Sequence, residues 1–167
     1  MRTELKPNLD IVRELYPIVK KRILDCTAFW DNNPDEATSE HKKLEVGLER
    51  LTGKNISEFD LWEYWEADGV ENLSFRISLP DPIKIIDFKK SELKEILTKI
   101  KTFENPEKYE NDEILMLNWA NEGSYYKNLL KINFKNYDHK HFHSHKDKNG
   151  NYFEYSVDEI IEFIWNE

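Results

Sequence analysis

Four histidines alternate with other residues in one short segment, the histidine row: His139, His141, His143 and His145. On an extended strand, alternate side chains project to the same side, so a His-x-His pair could share zinc or a similar metal. Because residues two apart on a strand are separated by about 7 Å, at most two or three of these imidazoles could reach one ion. The metal hypothesis therefore uses His139, His141 and His143, with a carboxylate from another element. The alternative is a solvent-facing row that binds no metal and titrates near neutral pH.

Large rings and carboxylates are interleaved in a second segment, between positions 59 and 68. This segment is apolar around too much of its circumference to be only the inner face of a surface helix, so we expect some of its aromatic surface to face outward. Residues 31–71 contain 12 acidic and 4 basic side chains, a net charge of −8. The alternative is that Trp62 and Trp65 pack in the core while the carboxylates form a solvated face.

Aromatic side chains supply the desolvated contact of a protein interface, and carboxylates steer and select a cationic partner. We therefore predict a partner-binding surface for a basic protein. Its predicted residues are Asp60, Trp62, Glu63, Tyr64, Glu66 and Asp68.

Signals of catalysis are weak. Cys26 lies on the apolar stripe of a predicted helix, where a thiol behaves as a small hydrophobic group rather than a nucleophile. The five glycines are scattered singly, and the sequence contains no Gly-rich phosphate loop and no nucleophile elbow. We predict a non-catalytic protein without a cofactor, with zinc as the cofactor of the metal alternative.

Composition sets the class of the protein. With 167 residues, 39% hydrophobic and 13% aromatic, the chain has enough apolar material to fold as a single domain, 1–167. The net charge of −9 argues against binding to nucleic acid or to anionic membranes and favours a basic partner. A lone cysteine and a polar N-terminal stretch predict a reducing, cytoplasmic location. The oligomeric state stays open.

Hydrophobic periodicity predicts an α+β fold. The first 70 residues read as mainly helical, with Pro17 kinking or dividing the first helix and Gly53 ending the second. Alternating residues predict strands at 73–79 and 127–134, a short extended piece at 83–88, and an extended histidine row.

The end of the chain combines a hairpin with a helix. Residues 147–150 fit a hairpin loop, and residues 152–155 a return strand. Helices are predicted at about 91–103 and at about 156–166, the second opened by a capping box of Ser156 and Glu159. Both helices should pack on a small, mainly antiparallel sheet.

A small, acidic, aromatic-rich chain with these features resembles the immunity proteins of bacterial toxin systems, including those of contact-dependent growth inhibition. The resemblance is one of character over the whole chain. It implies a protein that binds one cognate toxin domain, often a basic nuclease, and blocks its active site or its assembly.

Overall fold

The structure, a computed structural model, describes residues 1–67, 69–102 and 104–165. Within them the chain is mostly helical with a small two-stranded antiparallel sheet, and is therefore broadly α+β. The α-helices are α1 (Leu9–Asn32), α2 (Ala37–Thr52), α3 (Tyr64–Ala67), α4 (Gly69–Ser78), α5 (Lys90–Lys101), α6 (Glu113–Asn133) and α7 (Val157–Ile164). The strands are β1 (His145–Lys146) and β2 (Tyr152–Phe153). None of these helices combines the length and apolar character needed to cross a membrane.

The chain divides into two compact units with very different charge. Residues 8–80 and 109–118 contain 18 acidic and 9 basic side chains, a net charge of −9, and form the acidic unit. Residues 1–7, 81–108 and 119–167 contain 15 of each kind and form the neutral unit. Helix α6 contributes residues 113–118 to the first and 119–133 to the second. The single-domain assignment stays a prediction.

The core of the acidic unit lies where α1 packs against α2 and α4. Asn8 caps α1 by accepting the N–H of Ile11, and Gly53 ends α2 in the left-handed conformation at φ +72°, as predicted. Helix α1 runs through Pro17 as one helix, which excludes the alternative that Pro17 divides it. Its inner side joins the core cluster Val19, Ile23, Leu44, Leu48, Ile56, Leu61, Tyr64, Leu73 and Ile77.

The strand predicted at 73–79 is instead helix α4. Leu73, Phe75 and Ile77 are buried, but Ser74 and Ser78 are buried as well. The Ser78 hydroxyl donates to the Ser74 carbonyl oxygen at 2.7 Å, which is the usual way for a helix to accommodate a buried serine. The alternation of large and small residues reflects a helix covered on several sides, not a half-exposed strand.

The strand predicted at 127–134 is the last part of α6. The buried side chains there follow the helical spacing: Tyr125, Tyr126, Leu129 and Leu130. Ile132, which the strand would bury, is 42% exposed.

In the neutral unit, α7 packs against α5 rather than on a sheet. Ser156 and Glu159 form the predicted capping box: the Ser156 N–H donates to Glu159 Oε2 at 2.7 Å, and Ser156 Oγ accepts the Glu159 N–H at 3.3 Å. Ile160, Ile161 and Ile164 are buried on the inner side of α7. The two predicted helices therefore exist with slightly shorter bounds, but their packing partner was wrong.

The loop at 147–150 is a hairpin turn, as predicted. Asp147 Oδ1 accepts the N–H groups of Asn149 and Asn151, both at 2.8 Å, and Gly150 takes the left-handed conformation at φ +84°. The return strand is shorter than predicted, since β2 covers two residues. Residues 83–88, predicted as extended, lie outside the two strands.

The histidine row is not one extended strand. Residues His139–Phe142 form a 3-10 helix capped by Asp138, whose carboxylate accepts the N–H of Lys140 at 2.9 Å. Within the row, His145 alone belongs to a strand, where it lies opposite Phe153. The expectation that all four imidazoles project to one side was therefore wrong.

Candidate protein-binding surface

Two buried side chains fix the segment at 59–67 to the acidic unit. Leu61 is 1% and Tyr64 is 8% exposed, and both belong to its core. The hydroxyl of Tyr64 lies 3.1 Å from Thr27 Oγ1. Because these anchors point inward, Trp62 and Glu63 between them are left at the surface.

Asp60 shapes the turn that precedes α3. Its Oδ1 accepts the N–H groups of Trp62 at 3.0 Å and Glu63 at 2.9 Å. An aspartate at this position satisfies backbone donors that a tight turn would leave without partners. The segment between α2 and α4 accordingly contains a 3-10 helix (Ile56–Glu58), this turn and α3.

Two other rings hold Trp62 in place. Its ring centroid lies 4.4 Å from that of His41, with planes inclined by 6°, and 4.5 Å from that of Trp30, with planes inclined by 25°. Trp30 comes from the end of α1 and is 8% exposed, and His41 comes from the first part of α2. We call Trp30, His41 and Trp62 the ring stack. It brings together residues that are far apart in the sequence.

The ring stack favours neutral His41. Burial lowers the pKa of His41 from its ordinary value, because the charged imidazolium would lose its hydration among the rings. Glu45 Oε1 lies 3.7 Å from His41 Nδ1. The carboxylates of Glu45 and Asp60 raise the pKa of His41, but they do not cancel the effect of burial. Within the described residues, Trp30 Nε1 and His41 Nε2 are buried without a hydrogen-bond partner.

The predicted site residues differ in their exposure to solvent. Asp60, Trp62, Glu63 and Glu66 are exposed, whereas Tyr64 is a core residue and adds no surface. Asp68 lies outside the described residues. In the part of the chain that the structure describes, none of the three exposed carboxylates forms an ion pair, whereas Lys20 elsewhere in the unit pairs with Glu71 at 3.0 Å. The charges of Asp60, Glu63 and Glu66 are therefore not neutralised by an ion pair within the described residues.

Trp65 is a further exposed ring of this segment, although it was not among the predicted site residues. It is 58% exposed, and its ring meets that of Tyr64 edge-on at 5.4 Å. We call the exposed set the acidic aromatic surface: Asp60, Trp62, Glu63, Trp65 and Glu66. The aromatic richness of the segment was the signal that pointed to Trp65.

No protein-family model, curated protein or solved structure matches the chain.

Cys26 has the environment of a structural thiol. It is partly buried against the core of the acidic unit. Burial, with a smaller contribution from Glu40, raises the pKa of Cys26 to about 11, so the thiol is protonated at neutral pH. A small cleft beside it is lined mainly by groups that already have partners, among them Arg22, which donates to the Gly47 carbonyl oxygen at 3.1 Å.

The four imidazoles of the histidine row have separate surroundings. His139 and His143 meet edge-on with centroids 5.2 Å apart, His141 stacks on Phe163 at 5.0 Å, and His145 Nε2 lies 2.9 Å from the Lys140 carbonyl oxygen. Across the described ranges, no three His, Cys, Asp or Glu side chains are arranged to hold a metal ion. The metal site at His139, His141 and His143 stays a prediction, without its expected strand geometry.

Proposed function

We propose that the chain is a non-catalytic immunity protein that binds and neutralises a cognate, basic, nuclease-like toxin domain in the bacterial cytoplasm. The observation that carries the proposal is the acidic aromatic surface. It joins two exposed tryptophans to three carboxylates without ion-pair partners among the described residues.

The chemistry of this surface suits a basic protein partner. Tryptophans are enriched among the residues that dominate binding energy, because a large rigid ring loses little conformational entropy on contact. Carboxylates around the rings attract a cationic surface and raise the rate of association. The acidic unit, which holds the whole net charge of −9, extends this attraction beyond the immediate contact.

Binding to the product of the neighbouring coding sequence tests the proposal, since an immunity protein is expected beside its toxin. We expect a stable complex whose association rate falls steeply as ionic strength rises. Glu63→Lys with Glu66→Lys should slow association, because it replaces two attractive charges with two repulsive ones. Co-expression should protect cells from the toxin domain, and the double variant should protect them less.

Glu14→Lys is a matched control. Glu14 is exposed on α1 of the same unit and lies 16 residues, or about 24 Å of helix, before Trp30. It should bind like the wild type at moderate salt, because its charge is then screened from the surface. A complex insensitive both to salt and to the Glu63 and Glu66 changes would exclude this surface as the toxin-binding site.

A further inference from the structure

The ring stack leaves one face of Trp62 open. The centroids of His41 and Trp30 lie 4.4 and 4.5 Å from that of Trp62 but 5.7 Å from each other. Were they on opposite faces of the indole, two stacking layers of about 3.5 Å each would separate their centroids by at least about 7 Å. Both rings therefore lie on one face of Trp62. Among the described residues no further ring packs against the indole, and Trp62 is 40% exposed.

Two exposed carboxylates lie close to Trp62 in the chain. Glu63 follows Trp62 directly in the chain and is exposed, without an ion-pair partner in the described ranges. Asp60 precedes it by two residues and uses Oδ1 for the backbone of the turn. Oδ2 of Asp60 and the carboxylate of Glu63 can accept hydrogen bonds from a bound cation. An aromatic face held by two other rings, on a segment that carries exposed carboxylates, suits a flat cation.

We propose that the open face of Trp62 binds an arginine guanidinium of the partner, a step that deepens the proposed function and rests on it. A guanidinium is planar and weakly hydrated, so it stacks on an indole while its N–H groups still reach carboxylates. A lysine ammonium is compact and strongly hydrated, and it loses more when it leaves water for a ring face. His41 and Trp30 keep the indole in place, so little ordering is needed on binding.

Short peptides test this recognition without the toxin. The blocked peptide Gly-Arg-Arg-Gly is titrated into the 15N-labelled protein, with Gly-Lys-Lys-Gly and the neutral isostere Gly-citrulline-citrulline-Gly as comparisons. The indole N–H signal of Trp62, assigned by its loss in Trp62→Phe, reports the contact. We expect this signal to shift with the arginine peptide and to show no saturable shift with the citrulline peptide. The arginine peptide should bind about two- to fivefold more tightly than the lysine peptide.

Variants distinguish the contribution of the Trp62 ring to peptide binding from that of the negative charge. Trp62→Leu lacks the indole N–H, so its binding is followed by backbone amide shifts, and it should abolish the preference for arginine over lysine. Glu63→Gln should weaken binding of both peptides and reduce its salt dependence. Glu14→Gln, which removes the same charge elsewhere on the unit, should leave both affinities unchanged. If Trp62→Leu does not fold, Trp62→Phe replaces it in the test. This variant keeps a smaller aromatic face and should retain part of the preference for arginine.

The outcomes distinguish this proposal from the proposed function. Equal affinity for the arginine and lysine peptides, or an arginine preference that survives Trp62→Leu, would overturn the guanidinium site while leaving toxin binding to be measured directly. Arginine-selective binding through Trp62 without any complex with the neighbouring gene product would support the site and count against the toxin partner.

Discussion

Replacing Trp62 by alanine should cost far more stability than its exposed position suggests. A tryptophan side chain can bury about 250 Å². Trp62 is 40% exposed, so about 150 Å² is covered, which is worth about 4 kcal/mol at about 25 cal/mol per Å². Because unfolded chains already cover part of this area, we reduce the figure to about 3 kcal/mol. Stacking on His41 and Trp30 adds about 0.5–1.5 kcal/mol.

Trp65→Ala is the matched comparison. Trp65 is 58% exposed and meets one ring edge-on, so the same reasoning gives a loss of about 2 kcal/mol. Urea unfolding followed by far-UV circular dichroism measures both variants, because fluorescence would change with the loss of one of the five tryptophans. We expect Trp62→Ala to be less stable than Trp65→Ala by about 1.5–2.5 kcal/mol.

A double-mutant cycle of Trp30→Leu and Trp62→Leu isolates the stacking contribution. The two substitutions should be non-additive by about 0.5–1.5 kcal/mol, since each removes the same ring contact. Equal losses for Trp62→Ala and Trp65→Ala, together with additivity in the cycle, would refute the ring stack as the support of the surface.

Three further outcomes follow from the structure. Because the pKa of His41 is lowered in the folded state, the unfolded state binds its proton more readily, and this contribution to stability is complete above about pH 6.5 and lost as the pH falls below it. The free energy of unfolding between pH 7.5 and 5.5 should therefore fall less in His41→Phe than in the wild type. Ser156→Ala should lower stability by about 1 kcal/mol in urea unfolding, because it removes the cap of α7. Elemental analysis of the purified, tag-free protein should find no stoichiometric zinc; a bound ion that disappears in His141→Ala would establish the metal alternative instead.

Local signals predicted the parts of the fold that depend on neighbouring residues. The cap at Ser156, the left-handed end of α2 at Gly53 and the turn at 147–150 are each set by a few consecutive side chains and their own backbone. Their physical basis is complete within about four residues, so the sequence alone was sufficient.

Longer periodicity misled the strand predictions for a physical reason. Lys127, Lys131 and Lys135 recur every four residues, a spacing that puts side chains on one side of a strand and also on one side of a helix. The buried Tyr126 and Leu129, at helical spacing, were the signal that distinguished the two. At 73–79, the prediction assumed that serines face solvent, whereas Ser74 and Ser78 are buried.

The candidate surface was predictable in composition but not in construction. The concentration of rings and carboxylates near Trp62 is visible in the sequence. That Trp30 and His41 would meet Trp62 depends on how α1 and α2 pack, which periodicity does not specify. The burial of Tyr64 was equally hidden, because a helical turn exposes Trp65 and buries its neighbour.

Because the negative charge is concentrated in one unit, ionic strength should affect stability and partner association in opposite directions. Dilute buffer lengthens the reach of the carboxylates and speeds encounter with a cation, but it also strengthens their mutual repulsion within the acidic unit. Added salt screens this repulsion within the acidic unit, and it also weakens the long-range attraction of a cationic partner. The free energy of unfolding should therefore be highest at the salt concentrations where association with the partner is slowest.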